Sequence, residues 1–298
     1  MILSGKLVAE KIIDNARSNL SSISIVADRP PKLTILDVTS KGHMDNLVFE
    51  RSVGELCGKL NIDLEIQSFS VDRANKYFLK FLKLYTESSN VDGILMIVPW
   101  KDANIERKDV LGILDPIRDI DGFGYLDLVS RKRYHMPSVV ESVFKIIDYY
   151  KMSIFKNINE NDRLCDILRG RKVAVMGRSL NVGLPIISAF SKTDVSLTVA
   201  NKYSDLKYIS DTNEILISAT GTMNILNKEN INSNNIIIDV GYNRNNMGVF
   251  VGDSNFNEIK DVVKAITPVP NGVGVVTTAL IIEHLISSYN HNIRSGKI

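Results

Sequence analysis

Residues Lys172–Pro185, KVAVMGRSLNVGLP, restrict the possible folds more than any other stretch of the chain. A short apolar run from Val173 to Met176 ends in Gly177, a polar turn follows, and Gly183 and Pro185 open a second apolar segment. Such a pattern predicts a buried parallel strand, a tight turn and the start of a helix. Gly177 admits a turn or a backbone approach that a Cβ would hinder. Pro185 suits a first helical turn, where a missing N–H is no loss. Free N–H groups at a helix start beside a glycine turn make a ready phosphate site. The two glycines lie six positions apart, so the run is not a G-x-G-x-x-G fingerprint. An ordinary strand–helix turn therefore stays open beside nucleotide binding.

The chain alternates in the same manner from its beginning. Leu7, Val8, Ile12, Ile13, Ala16 and Leu20 form a helical stripe. Strands are predicted at 33–38, 63–69 and 91–98, with helices over 46–60 and 76–86 between and after them. Asp119 and Asp121 fall in a turn-rich loop, either as an Asx-turn pair or as a carboxylate at the carboxyl edge of a sheet, where α/β folds place ligands. A helix follows at 140–152, then a polar, Asn-rich stretch at 156–166 that reads as a seam between domains. Further strands are expected at 195–200, 215–218, 236–240 and 249–251, with a surface loop at 224–235. The segment 266–274 carries two Pro and two Gly, which argues against a helix or a central strand. A helix is expected to resume at 277–287, with Thr277 as its cap. Strands alternating with helices argue for parallel α/β sheets, and 298 residues are long for one core.

Composition removes several function classes. Hydrophobic residues make up 44% and charged residues 23%, the balance of a soluble globular chain, and every apolar run is too short to span a membrane. The first residues are amphipathic and carry acids, so they read as a mature start and not as a signal peptide. A net charge of +2 offers nucleic acid no general attraction. The run Arg131-Lys132-Arg133 reads as a solvated loop, with a phosphate or polyglutamate contact as the alternative. Cys57 and Cys165 belong to no pair motif, which points to the cytoplasm and to packing thiols. The His residues at 43, 135, 284 and 291 have no metal-ligand spacing, so no metal is expected.

Six segments then act together: VDGILMIVP (91–99), DIDGF (119–123), GRSLNVGLP (177–185), IIIDVGYN (236–243), VGD (251–253) and ITPVPNGVG (266–274). With them the chain resembles the bifunctional methylenetetrahydrofolate dehydrogenase/methenyltetrahydrofolate cyclohydrolase (FolD) family, as a divergent member. The resemblance implies two α/β domains with a cleft between them, usually in a homodimer. Residues 1–150, joined by the C-terminal helix 275–298, would be the folate-type catalytic domain, and 151–274 a Rossmann-like NAD(P)-binding domain. It also implies a tetrahydrofolate derivative as substrate and NADP as cofactor, with NAD as the alternative. In that likeness the cofactor carries the hydride chemistry and the protein supplies orientation.

The resemblance places Gly177, Arg178, Ser179, Val182, Gly183 and Pro185 on the family's phosphate-binding turn. Arg178 and Ser179 become candidates for the 2′-phosphate of NADP, since a guanidinium contacts phosphate in bidentate fashion. Lys202 stands in the segment where the family often carries a His, and can still supply charge. Thr220, Gly221, Asp239, Gly241 and Thr267 fall on segments that line the dinucleotide. Asp121 matches the carboxylate that meets the pterin ring, a group suited to the paired N–H donors of an aminopyrimidinone edge. Ile97, Pro99, Pro270, Gly272 and Gly274 fall on substrate-facing segments, with Ile97 standing where the family has Gln and Asn271 where it has Gly.

The main departure lies on the second helix, where the family pattern is Tyr-x-x-x-Lys. Aligned by the Cys-containing end, the matching residues are Phe49 and Val53; aligned by the preceding strand, Leu47 and Arg51 come near those positions. Neither register supplies a Lys. A desolvated Lys can trade a proton; Arg scarcely can, and Val cannot. Hydride transfer needs proximity more than an acid–base side chain. The expected activity is therefore an NADP-dependent methylenetetrahydrofolate dehydrogenase with weak or absent cyclohydrolase. The alternatives are a dehydrogenase for another substrate on the same scaffold, or a non-catalytic dinucleotide-binding or partner subunit.

Overall fold

The computed structural model describes residues 1–23, 27–39, 45–100, 102–126 and 134–296; His43 and the run at 131–133 lie outside them. In chain order the first elements are α1 (Gly5–Ile23), β1 (Lys32–Thr39), α2 (Asp45–Lys59), β2 (Asp63–Ser70), α3 (Val71–Glu87), β3 (Gly93–Ile97) and α4 (Arg107–Ile113). Next come α5 (Ser138–Ile154), α6 (Leu164–Leu168), β4 (Lys172–Met176), α7 (Gly183–Phe190), β5 (Ser196–Ala200), α8 (Leu206–Thr212) and β6 (Ile215–Ser218). The chain ends with β7 (Ile236–Asp239), β8 (Asn243–Arg244), β9 (Phe250–Val251), α9 (Phe256–Ile259), β10 (Ala265–Ile266) and α10 (Val273–Arg294). Two compact units result: a first of residues 11–138 and 278–298, and a second of residues 1–10 and 139–277. No helix among the described residues is long and apolar enough to cross a membrane.

In the first unit, β1 lies between β2 and β3, and both pairings are parallel. A strand covered on both faces reads as a continuous apolar run, which LTILDV nearly is. Leu33 and Ile35 of β1 face a core built with Val53 and Cys57 of α2 and Ile281, Leu285 and Tyr289 of α10. Leu36 and Val38 face the opposite core, with Phe78 and Leu82 of α3 and Val110 of α4. Each such side chain, fully buried, contributes about 1.5–3 kcal/mol. The Ser70 hydroxyl caps α3 by accepting from the Arg73 N–H at 3.3 Å. From there Ala74, Phe78, Leu82 and Tyr85 bury one face at helical spacing.

The second unit has a parallel sheet in the order β10-β7-β6-β4-β5. From β4 the chain moves outward to β5, then crosses back to β6 on the other side, so the winding direction reverses between β4 and β6. Crevices at such reversals, outside the carboxyl ends of the strands, are where open α/β sheets hold ligands. The residues Met1–Leu3 line the far edge. Ile2 bridges Ile266, the Leu3 N–H donates to the Ile266 carbonyl at 2.8 Å, and the Ile266 N–H donates to that of Met1 at 3.0 Å.

Two local expectations are corrected. α10 begins at Val273 and not at Thr277, whose hydroxyl lies inside the helix and donates to the Val273 carbonyl at 3.1 Å. Thr277 is therefore no cap. The break falls earlier, where Asn271 takes φ +76°, a left-handed conformation that Asn tolerates, so Val273 and Gly274 join the helix. The loop at 224–235 is not purely superficial either: Leu226 and Ile231 enter the core of the second unit. Asn235 is fully buried there, accepting from Ser210 Oγ at 2.6 Å and donating to the carbonyls of Ser210 and Asn213.

Candidate functional site

The carboxyl end of β4 turns at Gly177, which takes φ +99°. A Cβ there would overlap the Ala219 carbonyl oxygen at the end of β6, so only glycine lets the two strand ends approach this closely. Gly183 at the start of α7 makes the second such approach, against the Gly177 carbonyl. The first turn of α7 is partly satisfied from within. Ser179 Oγ accepts from the Gly183 N–H at 3.3 Å, the Ser179 carbonyl accepts from the Leu184 N–H at 2.9 Å, and Pro185 has no N–H to offer. Val182 precedes the helix at φ −129° without a side-chain cap bond. Fewer helix donors are left for an anion here than the run of residues implies, which moves the weight onto side-chain cations.

Those cations are in place. A pocket of about 260 Å³ opens at the reversal point, lined among others by Gly177, Arg178, Asn201, Lys202, Thr220 and Thr222. Arg178 and Lys202 are both exposed, and neither has a carboxylate partner among the described residues. Lys202 lies over the Tyr203 ring, 4.9 Å from its centroid. Two uncompensated cations beside backbone that a Cβ would obstruct fit the phosphates of a dinucleotide.

The wall carrying Thr220 is held by one buried carboxylate. Asp253 Oδ2 accepts from Ser218 Oγ at 2.8 Å, the Thr220 N–H at 2.7 Å and Thr220 Oγ1 at 2.9 Å. Its Oδ1 accepts from the Thr222 N–H at 3.1 Å and Asn243 Nδ2 at 2.9 Å. Asp239 is similarly committed, accepting from the N–H groups of Gly241, Asp253 and Ser254, while its own N–H donates to Thr267 Oγ1 at 2.7 Å. Burial pushes the Asp239 carboxyl above the usual carboxylate range, against the pull of those N–H donors. Gly241 packs directly on the Asp253 carboxylate, and Gly221 takes φ +67° with open space around it. Asp239, Gly241 and Thr267 thus build the turn behind the pocket wall. Asp253, the acid of VGD, is the residue that sequence reading left without a role.

In the 266–274 segment the Val269–Pro270 peptide is cis. Gly272 packs against the Pro268 carbonyl and also leaves no space for a Cβ on Gly5, whereas Gly274 meets open space.

In the first unit, Asp119 and Asp121 have separate tasks. The Asp119 carboxylate accepts from the N–H groups of Phe123 at 2.9 Å and Gly124 at 2.7 Å, closing the turn into the 3₁₀ segment Phe123–Leu126. Burial raises its carboxyl to about 6 against those two donors. Asp121 is half-buried and accepts from the Ser138 hydroxyl. Burial raises it too, while Ser138 and the neighbouring His284 pull it back. His284 Nδ1 donates to the Ile120 carbonyl at 2.8 Å, and its ring stacks on His135 with centroids 4.4 Å apart. Pro99 lies two residues beyond β3, and its carbonyl accepts from the N–H groups of Asp102 and Ala103.

On α2, Val53 is fully buried in the core and Phe49 packs against it. Arg51 points outward, with a side chain 82% exposed and paired to Glu55. Ile97 packs on the same core as Phe49. Two acids went unnoticed in the sequence. Asp37 on β1 and Glu50 on α2 are 3% and 9% exposed, and a hydrogen bond joins their carboxyls. The available signal was a charged residue inside the otherwise apolar LTILDV.

A reversal-point pocket with glycine crossings and free cations defines the second unit as a dinucleotide-binding α/β domain, set in a chain with a second parallel α/β unit. Residues 155–293 match the family model described as tetrahydrofolate dehydrogenase/cyclohydrolase, NAD(P)-binding domain, and residues 3–121 match that family's catalytic domain. The chain belongs to the tetrahydrofolate dehydrogenase/cyclohydrolase family. It is 29% identical over 297 residues to the bifunctional protein FolD of Dictyoglomus thermophilum, covering 98% of each chain. In fold it is similar to the bifunctional FolD of Campylobacter jejuni, with TM-score 0.82, 22% identity and coverage of 98% and 99%. It is also similar to the Trypanosoma brucei FolD solved with NADP cofactor and inhibitor, with TM-score 0.83, 20% identity and coverage of 99% and 98%.

Proposed function

We propose that this chain is an NADP-dependent 5,10-methylenetetrahydrofolate dehydrogenase, acting as a homodimer in the cytoplasm, in which the cyclohydrolase step lacks the amine its relatives use. The observation that carries the cofactor half is the meeting of Arg178 and Lys202 in one pocket with Gly177 and Thr220, with no carboxylate partner for either cation among the described residues. NADP, when bound, supplies the hydride acceptor. The chain's own part is to grip phosphate with Arg178 and Lys202 and to hold the pocket wall through Asp253. Asp121, kept half-buried by Ser138, offers a carboxylate to the N–H edge of a pterin. On α2 a fully buried Val53 stands where the alignment by the Cys-containing end expects the Lys, which supports a weakened second activity.

The test is nicotinamide reduction, followed by absorbance, with purified protein, 5,10-methylenetetrahydrofolate and either NADP or NAD. Reduction with a preference for NADP is expected. If neither is reduced while NADP still binds by calorimetry, the substrate is a different one; if neither binds, the dinucleotide reading falls.

A further inference from the structure

The carboxyl pair in the first unit has no part in anything described so far. Asp37 stands third from the end of β1, at the carboxyl edge of its sheet, opposite Ile97 of β3. Alternation along the strand puts it on the face of Leu33 and Ile35, which α2 covers. Glu50 lies three residues before Val53 and seven before Cys57, so it shares their core-facing side of α2. The pair therefore sits one helical turn from Val53, which takes the place of the family's Lys in the alignment by the Cys-containing end, and across a strand pairing from Ile97, which stands where the family has Gln. Glu50 is more than nine-tenths buried, and its Oε1 has no hydrogen-bond partner among the described residues. A buried carboxyl oxygen left unpaired is costly in a native fold, and points to a ligand group that completes it.

We propose that Glu50, coupled to Asp37, handles the proton in hydrolysis of the methenyl bridge, in place of the missing amine. The inference rests on the folate reading given above. The substrate of this step is a cyclic amidinium cation. The oxygen of a water molecule bonds to the bridging carbon, and the proton it loses passes to the Glu50 carboxylate. The carbinol then collapses: one C–N bond breaks, its electron pair stays on the ring nitrogen, and that nitrogen takes the proton back from Glu50. The hydroxyl proton leaves to solvent as the carbonyl forms. Cation plus water gives a neutral formamide plus one proton, with no oxidant or reductant needed.

The surroundings suit the task. Burial, the nearby Asp37 charge and the shared hydrogen bond push the Glu50 carboxyl up to about 7, the range in which a base works at neutral pH. Charged groups on the elements packed against α2 are paired elsewhere or open to solvent, as are Lys6, Glu10 and Lys11 of α1. Lys32 of β1 pairs with Glu65 of β2, Arg17 of α1 pairs with Asp14, and His284 of α10 donates to Ile120. Glu283 of α10 is half-exposed, and on α2 itself Arg51 pairs with Glu55. Asp37 is the group that acts on Glu50.

The experiment follows decay of 5,10-methenyltetrahydrofolate, above its uncatalysed rate, from about pH 5 to about pH 9. Wild type is expected to accelerate decay with a limb rising through about pH 7. Glu50→Gln should lose that limb and at least about tenfold of the rate at pH 8, while Glu50→Asp should keep the limb. Asp37→Asn should move the limb to lower pH by removing the like charge. Infrared difference spectra supply a readout independent of turnover: a protonated-carboxyl band titrating near neutrality in wild type and missing in Glu50→Gln. A wild type that reduces NADP with 5,10-methylenetetrahydrofolate but hydrolyses methenyl compound no faster than Glu50→Gln overturns the inference and leaves the dehydrogenase standing. Glu50-dependent hydrolysis without any nicotinamide reduction sinks the dehydrogenase reading instead and upholds the pair.

Discussion

Replacing Asp253 by Asn changes one atom and no shape, yet five donors converge on that carboxylate. Asn keeps one acceptor and turns the other position into a donor. In the better orientation the amide NH₂ replaces Oδ1 and faces the Thr222 N–H and Asn243 Nδ2, so two bonds are lost and donors confront donors. The opposite orientation loses three, including the Thr220 N–H. Bonds to a buried charged acceptor are worth about 1.5–3 kcal/mol each, which gives an expected loss of about 3–6 kcal/mol. Thr220 and Thr222 line the pocket proposed for the dinucleotide, so the dissociation constant for NADP should rise at least about tenfold, a step of about 1.4 kcal/mol. Asn243→Ala, which removes a single one of these donors, should cost about half as much, about 1.5–3 kcal/mol. Urea unfolding and calorimetric titration with NADP measure both effects. An Asp253→Asn protein within about 1 kcal/mol of wild type, binding NADP as before, would show that the carboxylate does not hold this wall.

Arg178→Ala should weaken NADP by about tenfold or more and NAD far less, because a charge-assisted phosphate contact is worth about 1.5–3 kcal/mol; equal losses in calorimetry remove Arg178 from the 2′-phosphate. Gly177→Ala forces a Cβ against the Ala219 carbonyl at φ +99°, and should cost at least about 2 kcal/mol together with NADP binding; retained binding refutes the close approach. Glu50 holds its proton more tightly folded (about 7) than at its ordinary 4.5, so its stabilising contribution is complete below about 4.5 and is lost as pH rises through about 7. Glu50→Gln, which cannot ionise, should then be more stable than wild type at pH 8. The ceiling is about 3 kcal/mol and about 1–2 kcal/mol is expected after solvent screening, with the difference shrinking toward pH 4. A variant less stable than wild type at pH 8 contradicts the assigned ionisation.

Strands buried on both faces announced themselves. β1, β3, β4, β6 and β7 are near-continuous apolar runs, and no other period fits them. Short helices did not: α4, α6, α8 and α9 have seven residues or fewer, too few turns for a periodic stripe to show. The glycine turn after β4 was legible because Gly and Pro constrain the backbone locally. The Asp37–Glu50 pair was not, since its partners are thirteen residues apart and meet only when α2 folds back on β1. The role of Asp253 was hidden for the same reason: its donors come from β6, the turn after it and β8.

The pairing of Met1–Leu3 with β10 bears on how the chain is synthesised. The segment that covers this edge is made more than 260 residues before the strand it covers, and the core of the first unit awaits Ile281, Leu285 and Tyr289 of α10. Neither unit is therefore contiguous in the chain: the sheet of the second closes only once residue 266 is made, and the core of the first only once residue 289 is made. Contacts so distant in sequence fold slowly, and the nascent chain carries open strand edges meanwhile. A fragment cut at residues 139–277 would leave the β10 edge bare, and one cut at 11–138 would lack Ile281, Ile282, Leu285, Ile286 and Tyr289 of its core. Expression of this protein in pieces should give aggregation where the whole chain gives a folded product.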